Sequence, residues 1–260
     1  MNRDRQAGNR QVGFSLIEMM VVLLILGIVS AGLFVQIDSA QQRAFSEQVK
    51  LDNFQEARDF VDQFFRDINQ IGYPNSRMVD TTSLLWSPAL TTQTAYTWAN
   101  TYINDSRLAM GLVRIDANAI QFEGDMNGNG VVQSVTYMIN GSGNCSLCLQ
   151  RSQTAKVSGN PLTGQTQNWG TETNDVLSNP IFSYFQADGT QIPNTSLPLD
   201  ISTSTNAQIL ASIKTIKISL LIRNNAVLDP KTRQPIETTF EGEVSLNNCS
   251  MSSSGAPMSC

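Results

Sequence analysis

Met19 to Ile37 runs for 19 residues without a formal charge, and this run limits what the rest of the chain can become. At ~1.5 Å of rise per residue, about 20 helical residues cross the ~30 Å hydrocarbon core of a bilayer. Arg3, Arg5 and Arg10 stand ahead of the run, and Asp38 is the first charge after it. Basic residues on the N-terminal side predict a cytoplasmic N-terminus, with everything after Ile37 outside. Glu18 sits at the edge of the apolar stretch. A carboxylate beside hydrocarbon costs at least ~2.5 kcal/mol unless it is paired, which makes Glu18 a functional candidate. An ordinary secretory signal would use the same apolar core and cut at Val29-Ser30-Ala31, and a plain membrane anchor would keep it uncut.

The order of parts separates these readings. Gly13-Phe14-Ser15-Leu16-Ile17-Glu18 lies before the apolar segment, whereas a secretory signal is cut after it. These six residues resemble the class III signal of type IV prepilins. The resemblance implies cleavage by prepilin peptidase between Gly13 and Phe14, N-methylation of Phe14, and a retained helix in which Glu18 serves filament assembly. It divides the chain into a leader (1–13), a spine helix (14–71, membrane-spanning over 14–37) and a globular β-rich domain (72–260).

The chain has 260 residues and a formal charge of -5, and removing a leader of net +2 takes it to -7. A mildly acidic chain without a basic patch argues against nucleic-acid binding. No histidine occurs, which removes Ser-His-Asp and Cys-His catalysis and every imidazole zinc site. Gly128-Asn129-Gly130 lacks the later glycine and the lysine of a phosphate loop. Nothing points to an enzyme.

Past Asp38 the helical period continues. Phe54, Ala57, Val61, Phe64, Ile68 and Ile71 recur at spacings of three and four, an apolar stripe suited to packing under a sheet. Gly72-Tyr73-Pro74 stops the helix. A helix from Phe14 to Ile71 would be about 87 Å long, with Gly27 and Gly32 as weak points. Asn75 to Asp105 has no period and carries Trp86, Tyr96, Trp98 and Tyr102, and reads as a long surface excursion. Period-two segments follow at Leu112–Ile115, Ala119–Phe122, Val131–Ile139, Ile181–Phe185, Ile213–Ile222 and Thr238–Leu246, with a turn at Asp188-Gly189. Strands in this order predict an antiparallel sheet. The prepilin resemblance implies that the spine helix packs on it, in an α+β pilin fold. Arg66-Asp67-Ile68, Gly72-Tyr73-Pro74, the Phe122 to Tyr137 hairpin, Phe182-x-Tyr184-Phe185 and Leu246-Asn247-Asn248 resemble PilW-type minor pilins and the related J-type minor pseudopilins of type II secretion.

Asp125-x-Asn127-x-Asn129-Gly130 has the spacing of the first half of a calcium loop, and the Val131 carbonyl falls at position seven. Thr136 stands where a bidentate Glu is needed, so a turn without metal is the favoured reading, with no cofactor expected. Asp105, Asp116 and Glu123 are the nearby acids able to add charge. Cys145/Cys148 and Cys249/Cys260 form two close pairs. Outside the cytoplasm disulfides are the default, local pairing is favoured, and four cysteines allow about three connectivities. A redox C-x-x-C lacks its βαβ setting here.

Together these readings point to a minor pilin in or priming a type IV pilus, near its tip. The resemblance implies other minor and major pilins, an inner-membrane assembly platform and, before assembly, the lipid bilayer as partners. It also implies a single-pass inner-membrane protein with a periplasmic domain that later becomes extracellular. The alternatives are a type II pseudopilin and a membrane-tethered periplasmic binding domain.

Overall fold

The computed structural model describes residues 15–74, 106–140, 147–158, 160–177, 180–229 and 231–246. Its spine is α1 (Leu16–Asn69), 54 residues in one helix that continues through Gly27 and Gly32. The helix ends as its sequence signals require, with Gly72 at φ +73° just past the last turn. The surface excursion expected over Asn75 to Asp105 lies outside the described residues.

Two antiparallel sheets pack on the C-terminal half of α1. The first has six strands: β1 (Leu112–Ile115), β2 (Ala119–Gly124), β3 (Gln133–Asn140), β4 (Cys148–Ala155), β5 (Trp169–Thr173) and β7 (Leu199–Asp200), in the order β5-β4-β3-β2-β1-β7. The second has three: β6 (Phe182–Gln186), β8 (Ile213–Leu228) and β9 (Pro235–Ser245), in the order β6-β8-β9. A nine-residue helix α2 (Ser204–Ser212) precedes β8, and the Thr203 side chain caps it by accepting from the Asn206 N–H at 3.2 Å. All six expected strands are present, in an α+β fold. β8 and β9 extend beyond their expected bounds, β8 to Leu228 and β9 back to Pro235. The expected single sheet is two, and the buried Tyr184 of β6 ties the second to the first, its hydroxyl donating to the Asp116 carbonyl in the β1–β2 turn at 2.8 Å.

The spine stripe is the floor of the core. Ala57, Val61, Phe64, Ile68 and Ile71 are buried, joined by Phe60, while Phe54 at the stripe's upper end remains 44% exposed. Each fully buried side chain of this size contributes ~1.5–3 kcal/mol. Phe64 stands edge-on to Tyr137 at 5.4 Å and stacks with Phe182 at 5.5 Å, so one helix residue reaches both sheets. β9 runs along the helix, with Phe240 at 5.7 Å from Phe54 and Gly242 lying against Phe65 and Val61. At the hairpin tip beyond it, Lys50 Nζ pairs with Asp229 at 3.2 Å.

Where the chain leaves α1 it joins the first sheet. The Gly72 N–H donates to the Glu123 carbonyl at 2.9 Å, the Asp125 N–H donates to the Tyr73 carbonyl at 2.8 Å, and Ile71 bridges Gly124. A Cβ on Gly124 would collide with the Gln70 backbone carbonyl. Backbone cannot swing aside as a side chain does, so Gly124→Ala must separate the helix end from β2. Its cost is expected to be at least about 2 kcal/mol, as for an overpacked core site, read as a lowered melting midpoint. Gly170→Ala is the control, since its added Cβ has nothing nearer than 3.8 Å.

Candidate functional site

The first half of α1 is a free apolar rod. Ser15 precedes it in extended backbone without a side-chain cap, and the Glu18 N–H donates to the Ser15 carbonyl at 3.0 Å. Glu18 lies in the first turn and is exposed. Leu16 is 78% exposed and Phe34 71%, and the large apolar side chains between them are likewise open. Among the described residues this is the one helix long and apolar enough to cross a membrane. Its first buried residue is Ser46, so the rod projects clear of the sheets. Gly13 and Phe14, the expected cleavage and methylation site, lie outside the described residues.

Residues 8–34 match the family model described as the prokaryotic N-terminal methylation motif. The chain carries a prepilin-type N-terminus. The match spans Gly13, Phe14 and Glu18, together with most of the apolar run. That motif belongs to type IV pilin-like and pseudopilin-like proteins, and it stands here on an exposed apolar helix backed by antiparallel sheets. No curated protein and no solved structure matches the chain.

The calcium-like turn connects β2 and β3 and is closed by its own hydrogen bonds. The buried Asp125 carboxylate accepts the Asn129 N–H at 3.1 Å and the Gly130 N–H at 2.7 Å. The Asn129 side-chain oxygen accepts from the Val131 N–H at 3.0 Å, and Asn127 accepts from Gln153 at 3.4 Å. Gly128 and Gly130 take the positive φ such a turn needs, +63° and +80°. The four nominal donors carry one negative charge, whereas calcium takes about six to eight oxygens. Asp105 lies outside the described residues, Asp116 stands at the far end of β2, and Glu123 is engaged elsewhere. Among the described residues, the Asp125 and Asn129 oxygens thus serve the turn's own hydrogen bonds.

Cys148 begins β4, is buried and is disulfide-bonded, while Cys145, Cys249 and Cys260 lie outside the described residues.

Sequence reasoning missed two polar centres. In the first, the Asp67 carboxylate is 2% exposed on the apolar face of α1; it accepts from Tyr137 Oη at 2.6 Å, Arg151 Nε at 2.8 Å and Arg151 Nη2 at 2.6 Å. Burial pushes the Tyr137 phenol well above its ordinary range, and the Asp67 charge adds to the shift. A signal was present, since Asp67 falls between Phe64, Ile68 and Ile71 on the buried stripe. In the second, Lys156 Nζ pairs with Glu123 at 2.6 Å, both side chains fully buried, and also donates to the Leu108 carbonyl at 2.8 Å. The same Glu123 oxygen accepts the Met110 N–H at 3.0 Å.

Burial raises the Glu123 pKa, and the Lys156 charge opposes that rise. A carboxyl whose folded pKa is raised favours the folded state while protonated, and it costs stability as pH climbs from its unfolded value of ~4.3. Lys156→Met removes the opposing charge and raises that pKa further. The variant is expected to lose stability relative to the parent over the pH range, above the ordinary carboxyl value, in which Glu123 stays protonated in the variant but ionises in the parent, with a slope of up to about 1.4 kcal/mol per pH unit. Thermal melts of the nanodisc-embedded chain across that window measure it, and a difference independent of pH would refute the assignment.

Proposed function

We propose that this chain is a minor pilin of a type IV pilus, held in the inner membrane as a single-pass protein and then moved into a filament, at or near its tip. The observation that carries the reading is the methylation motif set on an apolar helix that is exposed up to the edge of the globular core. Lipid satisfies the apolar rod before assembly, and neighbouring helices of minor and major pilins satisfy it afterwards. After removal of the leader (1–13), Phe14 gains an amine, and Glu18 of one subunit pairs with that amine of the next. The pairing offsets the cost of taking a carboxylate into an apolar filament core and sets the register. Prepilin peptidase and the inner-membrane assembly platform are the other partners. The role is structural, without a cofactor, and local bridges Cys145–Cys148 and Cys249–Cys260 suit a domain that works outside the cytoplasm.

The pseudopilin reading rests on the same motif. Deleting the gene separates the two: loss of surface pili supports the pilin, and loss of secreted proteins with pili intact supports the pseudopilin.

The mature protein from its native host is expected to begin at N-methyl-Phe14, and Gly13→Ala is expected to block processing. Mass spectrometry of the N-terminus measures both, and a mature start at Gly32 would remove the reading. Glu18→Ala is expected to be cleaved and to fold, yet to fall at least about tenfold in filament incorporation, by loss of a buried charge pair. Immunoblotting of sheared filaments against the membrane fraction reads the ratio. Undiminished incorporation would mean that Glu18 is not the pairing group.

A further inference from the structure

The globular domain carries a polar cleft that the filament reading does not use. It holds about 480 Å³ at the outer edge of the six-stranded sheet. β5 begins opposite Ser152, so β4 runs on through Gln153, Thr154 and Ala155 without a β5 partner, and the cleft opens there. Its walls come from three segments: Asn127 on the β2–β3 turn, Gln133 and Gln153 on β3 and β4, and Asn168 with Trp169 where the chain enters β5. We propose that this cleft binds a neutral oligosaccharide, with Trp169 as its stacking surface.

The chemistry of the lining selects that class. Trp169 is 39% exposed, although the aromatic residues beneath the same sheet, Phe122 and Tyr137, are fully buried. An exposed indole face suits the C–H face of a sugar ring. Around it stand four side-chain amides, each able to donate and accept, which matches hydroxyl groups that do both. The amides are already ordered in part: Gln153 donates to Gln133 and, at 3.4 Å, to Asn127, while the Asn168 side chain makes no hydrogen bond among the described residues. The cation in the wall, Arg151, is spent on Asp67 through Nε and Nη2, so an anion finds no free positive charge. Glu172 is the one acid in the wall, and burial raises its carboxyl pKa, which weakens the case for a cationic ligand that Arg151 already disfavours. A ligand without net charge, apolar on one face and hydroxylated at its rim, fits best.

The test uses the full chain in lipid nanodiscs, which avoids sugar-headed detergents. Cellotriose, chitotriose and mannotriose are titrated against tryptophan emission and by calorimetry, with sialyllactose, inorganic phosphate and choline as charged comparators. At least one neutral trisaccharide is expected to saturate with a Kd of about 1 mM or tighter. Trp169→Ala is expected to weaken that binding about tenfold in calorimetry, and Trp169→Phe to retain most of it. Asn168→Ala is expected to weaken it about threefold or more, by loss of a hydrogen bond. Both positions are exposed, so melting midpoints are expected to stay at the parent value. No binding of any neutral trisaccharide, binding of phosphate or choline alone, or unchanged affinity in Trp169→Ala would overturn the proposal. None of these outcomes bears on processing at Gly13 or on Glu18, so the filament reading stands or falls separately.

Discussion

A helix as long as α1 cannot bury both of its halves in a domain of this size. At ~1.5 Å per residue its 54 residues extend about 81 Å, several times the width of the sheets that cover it. The division falls near Ser46. Beyond it Ala57, Phe60, Val61, Phe64 and Ile68 enter the core, whereas before it every large apolar side chain from Leu16 to Ile37 is exposed. Such a surface is tolerable only in lipid or against other helices, since it far exceeds the apolar patches of soluble monomers. The apolar rod and the core-facing stripe are thus two parts of one continuous helix.

That element is held to the domain by more than apolar contact. Asp67 places a carboxylate among Phe60, Phe64 and Ile68, where it would be costly alone, and Arg151 and Tyr137 complete it from β4 and β3. Tyr137 and Arg151 are opposite one another in the ladder, so β-register delivers both to the same helix turn. A slip of one residue would turn both to the other face and leave the acid buried without a partner. The pair therefore contributes specificity for this helix position as much as stability. Glu123 and Lys156 act similarly beside Leu108 and Met110, joining β2 to the end of β4 and to the chain entering β1.

The helix, its stop and six strands could be read from the sequence because they carry strong local signals. The stripe from Ala57 to Ile71, Gly72 at positive φ, and the Ile216, Ile218 and Leu220 face of β8 all behave as their spacing implies. β4 and β5 could not be. Cys-Leu-Gln-Arg-Ser-Gln-Thr-Ala and Trp-Gly-Thr-Glu-Thr are mostly polar, and they are strands because β3 supplies a template for β4 and β4 for β5. α2, at nine residues, is too short to declare itself without its Thr203 cap and the packing of Leu210. The N-terminal methylation motif was legible because it is linear in sequence. Both buried ion pairs were not, because their partners lie 84 and 33 residues apart and meet only through register.

Under the filament reading proposed above, the same geometry would let the chain change surroundings without refolding. Among the described contacts, the lowest tie between domain and helix is Lys50 to Asp229, a half-buried pair at the tip of the β8–β9 hairpin. Asp229 also accepts the Thr232 and Lys231 N–H groups, which hold its carboxyl down at about 2, so the tie keeps its charge in any mildly acidic medium. From there the contacts strengthen along the helix, through Phe54 on Phe240 and Phe65 on Gly242 to the buried Asp67. Residues before Ser46 can exchange lipid for protein while every buried contact of the core remains in place. Phe45, at 60%, and Leu51, at 56%, stay exposed at the boundary, past the length of helix a bilayer can cover.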